Sequence, residues 1–347
     1  MKFGKIVTFY SYKGGTGRTM SLANVATYFA QAGHKVLMID WDMEAPGLHQ
    51  YFLDYCDDDY FAEKEGLIDF MYYIRTIHEE EFRKMPQEKQ LASVVKEAPL
   101  NYGTVENEHL FLKAHFENSF SNYVIPIRDI DNLSIVKAGK KFDLNYSEKA
   151  QAFDWQAFFE HSPRFFEYFA QFLQTQYDYV FIDSRTGFTD TSGICTTLLP
   201  NILVLAFTPN RQSLDGVLLR AKAATEYRMD YDGEFRPLYI YPLPSRVEAD
   251  EDALRKEWKK RYENAFSELF KELYELSEEE IAESTLSTYF NKVQLRHTSK
   301  YAYGERISII EDSTEDSLSM ANHYANFCGL LEMGQPIWSM KNLKSVF

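Results

Sequence analysis

A glycine-rich turn near the amino terminus reads Tyr12-Lys13-Gly14-Gly15-Thr16-Gly17-Arg18-Thr19. It follows Ile6–Tyr10, a short apolar run that predicts a buried strand. It precedes Ser21–Ala32, where apolar residues recur at helical spacing, and Gly33 is placed to end that helix. A second apolar run, Lys35–Asp40, predicts the next strand. The order strand, glycine turn, helix, strand predicts a βαβ unit with a right-handed crossover.

The turn has the composition of a phosphate-binding loop. Glycines allow backbone N–H groups to converge on phosphate oxygens without an intervening Cβ, and the helix that follows directs its positive end at the same anion. Thr19 offers a hydroxyl for Mg²⁺, and Arg18 offers a cation for the β- and γ-phosphates. The residues that we expect to bind nucleotide here are Gly14, Gly15, Thr16, Gly17, Arg18, Thr19 and Met20.

The loop departs from the ordinary pattern G-x-x-x-x-G-K-[ST], because Tyr12 replaces the first glycine and Arg18 replaces the lysine. It resembles instead the deviant Walker A motif, K-G-G-x-G-K-[ST], of the MinD/ParA family of P-loop ATPases, in a K-G-G-x-G-R-T form. The resemblance implies ATP and Mg²⁺ as cofactors. It also implies that Lys13 is catalytic and reaches across a two-fold interface, so that ATP is sandwiched in a homodimer.

Two further segments resemble the same family in order and spacing. Asp40-Trp41-Asp42 ends the second strand, and the resemblance assigns to Asp42 the catalytic role of positioning the attacking water. Asp183 ends the apolar run Tyr179–Asp183 in a Walker B arrangement, and Gly187 suits a loop whose N–H reaches the γ-phosphate. The metal ligands implied in this way are Thr19, Asp42 and Asp183. Arg185 either contacts nucleotide or forms a surface ion pair, and we favour the ion pair.

Two later loops are candidates for base recognition. One follows the predicted strand Ile202–Phe207 and contains Asn210; the other follows the predicted strand Pro237–Tyr241. In the family that the chain resembles, loops at these places frame the adenine, which points to Asn210, Pro242, Ser245 and Arg246. The alternative, polar loops that bind no ligand, remains open.

Strands alternate with helices along the chain, which predicts one α/β domain over residues 1–347. We expect a P-loop NTPase fold, that is, a doubly wound, mostly parallel sheet with helices on both faces and helical insertions. An insertion is predicted at about 50–130 and a charged helical segment at about 248–296. Further elements predicted from periodicity are the strand Asn132–Val136 and the helices Gly66–Ile77, Trp155–Gln174 and Asp250–Leu276.

The last of these helices carries aromatic residues at four-residue steps: Trp258, Tyr262, Phe266, Phe270 and Tyr274. Such a stripe belongs to a core or to a partner contact. We single it out, together with the acidic 50–130 region, as a surface for a partner protein.

Composition narrows the function classes. The net charge is −15, so the global field repels polyanions and nonspecific DNA binding is disfavoured. The chain has no recognisable secretion signal and no run of about 18 apolar residues, which predicts a cytoplasmic protein. Three widely spaced cysteines suggest neither disulfides nor a zinc site: Cys56, Cys195 and Cys328.

The carboxy-terminal segment Pro336–Phe347 has apolar residues near one helical face and lysines off it, as in helices that lie on anionic membranes. Docking on the core of the protein is the favoured interpretation, and membrane binding the weaker one. Related bacterial tyrosine kinases end in a tyrosine cluster, which the last twenty residues here lack.

The sequence therefore predicts a Mg²⁺-dependent ATP-binding switch, a slow ATPase whose homodimer regulates a partner protein. The alternative is a non-hydrolysing ATP-binding interaction module that recruits an effector, for example in stress or phage-defence signalling. Release of phosphate distinguishes the two.

Overall fold

The structure is a computed structural model that describes residues 3–56, 58–84, 105–162, 164–231, 238–248, 250–277, 279 and 286–333. Its centre is a seven-stranded sheet in the order β3-β4-β2-β5-β1-β6-β7. The strands are β1 (Lys5–Tyr10), β2 (Val36–Asp40), β3 (Ile125–Pro126), β4 (Leu133–Val136), β5 (Tyr179–Asp183), β6 (Ile202–Phe207) and β7 (Tyr239–Pro244). Only the pairing of β3 with β4 is antiparallel; the other pairs are parallel.

Helices cover both faces of the sheet. Those described are α1 (Arg18–Gln31), α2 (Asp58–Glu63), α3 (Leu67–Lys84), α4 (Val105–Ser119), α5 (Leu144–Gln151), α6 (Trp155–His161), α7 (Phe165–Gln176), α8 (Asp190–Gly193), α9 (Arg211–Tyr231), α10 (Asp252–Tyr274), α11 (Leu286–Lys292), α12 (Ser308–Glu311) and α13 (Met320–Glu332). Short 3₁₀ helices span Leu48–Tyr55, Phe120–Tyr123 and Ser299–Ala302, and a π turn spans Ile194–Leu198. This confirms the predicted doubly wound α/β fold.

The core has two parts because the central strands bury both of their faces, as parallel strands do. One apolar cluster contains Val7 and Phe9 of β1 and joins them to α1, α9, α10 and α13. The other contains Ile6 of the same strand and joins it to α3, α4 and α7. Helices α3 and α4 of the predicted 50–130 insertion thus form part of the second cluster, whereas Phe61 of α2 belongs to the first. That this segment is an insertion stays a prediction.

Three predicted helices differ from the structure. Helix α3 ends at Lys84, seven residues beyond the predicted end at Ile77. Helix α1 begins at Arg18 and not at Ser21, because Gly17 adopts φ +81° and the chain turns helical directly after it. The single helix predicted over Trp155–Gln174 is two, α6 and α7. Ser162 ends α6 with non-helical φ −139°, as expected for a residue that precedes a proline.

Strand β7 continues three residues beyond the predicted end at Tyr241, so Pro242 lies within the sheet, paired with Leu205, and not in a loop. A proline is tolerated here because β7 is the outer strand on this side, where alternate N–H groups point away from β6.

The aromatic stripe of α10 belongs to the core, so its prediction as a partner surface was wrong. Tyr262, Phe266 and Phe270 are at most 1% exposed, and the rings of Tyr262 and Phe266 lie 5.5 and 5.6 Å from that of Phe207 in β6. The stripe therefore attaches α10 to the sheet.

Within the described ranges, no helix has both the length and the apolar composition needed to cross a membrane. The predicted amphipathic segment Pro336–Phe347 lies outside the residues described.

Gly66 packs the start of α3 directly against the backbone that follows β4. The amides of Leu67 and Ile68 donate to the carbonyls of Lys137 and Ala138 at 2.7 and 2.9 Å, and a Cβ on Gly66 would overlap the same stretch of backbone. We expect Gly66→Ala to lower the free energy of unfolding by about 1–3 kcal/mol, because backbone cannot give way as a side chain can. Urea denaturation followed by circular dichroism measures it.

Gly329→Ala is the matched control. Gly329 lies in α13 with open space around its Cβ position, so alanine should raise the free energy of unfolding by about 0.5–1 kcal/mol. Equal effects of the two substitutions would contradict the packing of α3 described here.

Candidate functional site

Three chain segments converge at the carboxyl edge of the central strands. Phe9 of β1 and Asp40 of β2 are both in register with Asp183 at the end of β5. The glycine-rich turn follows β1 directly, and α1 begins at Arg18. Ligands of open α/β sheets bind outside this edge, in the crevice between loops.

The glycine-rich turn has an open inner face. Gly15 and Gly17 adopt φ +73° and +81°, a region that favours glycine, and no atom lies within 4 Å of a Cβ built on Gly14 or Gly15. The hydroxyl of Thr16 is buried and has no hydrogen-bond partner within the described part of the chain. The hydroxyl of Ser245 donates to the carbonyl of Thr16 at 2.6 Å, which fixes the outer side of the turn.

Arg18 lies inside the site and connects two strand ends. Its Nε donates to Asp183 Oδ1 at 2.5 Å and its Nη2 to Asp42 Oδ2 at 2.9 Å. The second oxygen of Asp183 accepts from Thr19 Oγ1 at 2.7 Å. All three side chains in the ion pairs are buried, and Nη1 of Arg18 has no partner among the described residues.

Burial and charge shift the pKa values of this group in opposite directions. Burial alone would lower the pKa of Arg18, but the charges of Asp183 and Asp42 outweigh it and the pKa is raised. Burial raises the pKa of Asp183, and Arg18 opposes this rise. Arg18 therefore stays charged, and its charge is what makes an ionised Asp183 tolerable in the interior.

Asp40 has a structural role at the same edge. Its two carboxylate oxygens accept the amides of Asp42 and Leu48, each at 3.2 Å, which shapes the turn after β2. Burial, together with the charges of Asp183 and Asp42, raises the pKa of Asp40 well above its ordinary value. Only the second aspartate of the pair, Asp42, reaches Arg18.

The loop after β5 contacts its surroundings through the side chain of Arg185 and the carbonyl group of Gly187. Arg185 forms an ion pair with Glu44, which confirms the favoured surface pair and connects this loop to the turn after β2. Gly187 adopts φ +73°, and its carbonyl accepts the hydroxyl of Tyr10 at 3.2 Å.

Three residues next to this loop were missed by sequence reasoning: Tyr10, Tyr12 and Arg220. Arg220 of α9 donates to Ser192 Oγ at 3.0 Å, and its guanidinium lies 4.2 Å from the centre of the Phe188 ring.

Tyr12 packs its ring onto Gly216 of α9, where a Cβ would overlap it, and lies 5.9 Å from the ring of Phe188. The sequence offered one signal that Tyr12 has a special role, namely that it replaces the first glycine of the ordinary motif.

The candidate base-recognition residues have different local environments. Asn210 is engaged in its own turn, where its amide donates to Thr208 Oγ1 at 2.6 Å and its oxygen accepts the amide of Ser213 at 2.9 Å. Arg246 is exposed with φ +51°. Pro242 is buried in β7 with its carbonyl accepting the Tyr289 hydroxyl at 2.6 Å, so the structure moves it out of the predicted loop.

Lys13 and Met20 are both half-buried at the two ends of the turn. The ammonium group of Lys13 forms no hydrogen bond or ion pair within the described ranges. The Cε of Met20 lies 3.5 Å from a Cβ position on Gly17, so Met20 supports the turn from the helix side.

Solved structures with this fold are distant in sequence. The cell division ATPase MinD of Pyrococcus furiosus has a TM-score of 0.52 and 15% identity, with 95% of this chain and 99% of that chain covered. The septum site-determining protein MinD of Pyrococcus horikoshii OT3, complexed with Mg-ADP, gives 0.52 and 15%, with 95% and 96% covered. A Cyanothece McdA variant in complex with ATP gives 0.51 and 15%, with 96% and 98% covered.

No curated protein sequence matches the chain. Residues 7–256, by contrast, match the family model described as the CobQ/CobB/MinD/ParA nucleotide binding domain. That match covers most of the chain, including both carboxylate-bearing strand ends and the glycine-rich turn. The protein therefore belongs to the CobQ/CobB/MinD/ParA family of nucleotide-binding proteins.

Proposed function

We propose that this protein is a Mg²⁺-dependent ATP-binding switch that hydrolyses ATP slowly and, with ATP bound, forms a homodimer that regulates a partner protein. The observation that carries this is the convergence of an open glycine turn, Thr19, Asp42 and Asp183 at one sheet edge. Family membership supports nucleotide binding, and the Mg-ADP and ATP complexes of the two relatives support the choice of ligand.

The turn offers a phosphate group what it needs. Two buried polar atoms, Thr16 Oγ1 and Arg18 Nη1, lack partners in the described part of the chain, and such orphans are costly unless a ligand satisfies them. Helix α1 begins at Arg18, directly after the turn. Its first backbone amides and the positive end of its dipole therefore lie next to the turn. A triphosphate would satisfy all of these groups at once.

The donor chemistry fits magnesium. The described residues contain no group of three or more His, Cys, Asp or Glu side chains that could hold a metal ion by themselves. Thr19 and Asp183, with Asp42 nearby, instead supply the few oxygen ligands that Mg²⁺ takes beside water and phosphate. When bound, the ion neutralises charge on the phosphates.

Asp42 and Lys13 are the residues to which we assign catalysis. Asp42 is 7% exposed at the strand end that faces the turn, where its carboxylate can orient a water. Lys13 has no ion-pair partner in the described ranges, which leaves its ammonium available for the nucleotide of a second subunit. We place base recognition near Ser245, Arg246 and Asn210, because Ser245 contacts the turn itself.

A second function is favoured by one observation. Arg18 holds Asp42 in a buried ion pair, and a carboxylate engaged in this way is not free to orient water. A module that binds ATP, closes a dimer and recruits an effector without hydrolysis is consistent with this contact. For either function we propose a cytoplasmic location; the charge of −15 disfavours nonspecific DNA as a partner.

Nucleotide binding is tested by substituting two glycines that both adopt a positive φ angle. Gly15 and Gly33 adopt φ +73° and +91° with open space at both Cβ positions, but only Gly15 lies in the phosphate turn. We expect Gly15→Ala to weaken ATP binding, measured by calorimetry with Mg²⁺, by about tenfold or more, because the turn must distort. Gly33→Ala should leave the affinity unchanged. Absence of ATP binding by the wild type would refute the proposed function.

Dimerisation is tested by mass in solution. The wild type should be a monomer with ADP and a dimer with ATP, whereas Lys13→Ala should stay monomeric with both, because it lacks the cation that reaches the second nucleotide. Lys256→Ala removes an equal charge from the exposed face of α10 and should dimerise like the wild type. Identical monomer masses for the wild type and Asp42→Ala with ATP would contradict the sandwich dimer.

Steady-state release of phosphate distinguishes the switch from the module. We expect slow release by the wild type and at least about a hundredfold less by Asp42→Ala, a loss typical of general-base removal. Binding of ATP by both proteins, measured in parallel, confirms that the variant is folded. No release by the wild type, with binding intact, would favour the non-hydrolysing module.

A further inference from the structure

We propose that Arg18 is an internal cation that occupies the place of the divalent metal in the nucleotide-free protein, so that Mg²⁺ gains its ligands only when phosphate draws the guanidinium away. The nucleotide half of this inference rests on the proposed function. The metal half rests on the contacts of Arg18 alone.

The proposed metal ligands are already paired with one another and with Arg18. Arg18 spans Asp42 and Asp183, which end two different strands, and Thr19 donates its hydroxyl proton to Asp183. Thr19 Oγ1 keeps its lone pairs while it donates this proton, so the group that stands between a metal and the two carboxylates is the guanidinium. A metal ion that took these oxygens would have to displace the guanidinium first.

Geometry explains why an arginine can hold both carboxylates. The guanidinium is a flat fork whose Nε and Nη2 face different acceptors, whereas a lysine ammonium is a single charged point. The two bonds of 2.5 and 2.9 Å use two separate nitrogens. The arginine in place of the motif lysine is thus the residue type that this bridge requires.

Charge explains why the site holds one cation at a time. Asp42 and Asp183 are 7% and 0% exposed, and buried carboxylates need a counter-charge. Arg18 supplies one positive charge against their two negative charges. A divalent ion supplies two positive charges and so balances both carboxylates, but it would be repelled by a guanidinium that stayed between them.

The structure also provides a reason for Arg18 to leave. Nη1 is buried and without a partner in the described part of the chain, and Arg18 is the first residue of α1, directly after the open turn. A triphosphate in the turn offers acceptors of higher charge than the two carboxylates do. Nucleotide and metal should therefore bind with positive coupling.

The test uses Mn²⁺ as the metal probe, with free ion measured by electron paramagnetic resonance on nucleotide-free protein. We expect weak binding by the wild type and binding at least about tenfold tighter by Arg18→Lys and Arg18→Ala, because at least one carboxylate is released. Arg185→Ala is the matched control: it removes an equal charge from the neighbouring loop, whose ion pair with Glu44 does not involve the metal ligands. It should bind Mn²⁺ like the wild type.

Two results would overturn the inference. One is wild-type binding of Mn²⁺ as tight as that of Arg18→Lys; the other is equal tightening in Arg18→Lys and Arg185→Ala, which would indicate a general charge effect. Arg18→Lys keeps a cation at the site and carries the test if Arg18→Ala does not fold. Because no nucleotide is present, this comparison stands even if calorimetry shows that the protein binds no ATP.

Discussion

The buried bridge from Arg18 to Asp42 and Asp183 connects the chain segments that meet at the candidate site. It joins the first residue of α1 to the ends of β2 and β5. Removing one partner of a buried ion pair typically costs about 3–5 kcal/mol, a large fraction of the stability of a domain. The bridge is therefore a structural bond, and in our proposal it is also the contact that nucleotide and metal rearrange when they bind.

A second set of contacts extends from the same turn to the outside of the protein. Tyr12 packs against Gly216 of α9 and lies near the ring of Phe188, which is itself 45% exposed. Arg220 of the same helix stacks on Phe188 and donates to Ser192. The glycine-rich turn, the loop after β5 and α9 are thus in direct contact. If the protein is the switch that we propose, a change in the turn on binding would reach side chains at the surface through these contacts.

Sequence reasoning predicted the elements well where a local pattern was sufficient. β5 and β6 were predicted with their observed bounds, and β1 and β2 to within one residue, because their apolar runs are bounded by polar residues. It failed where tertiary context decided. The helical periodicity of Trp155–Gln174 outweighed the proline at 163, and Pro242 suggested a loop although an outer strand accepts it. The stripe of α10 was recognised, but no local signal indicates whether a partner or the sheet covers it.

By itself, the sequence determined the glycine turn, the strands that flank it and the aspartates at the strand ends, because each depends on neighbours a few residues away. Only the tertiary structure decided what these groups do to one another. Arg18 and Asp183 are 165 positions apart, and Ser245 contacts a carbonyl 229 positions away. The sequence alone does not show which carboxylates Arg18 contacts, because Asp42 and Asp183 come together only when the parallel sheet places β2 and β5 side by side. Its position between two buried carboxylates follows from that register and from the cost of burying them unpaired.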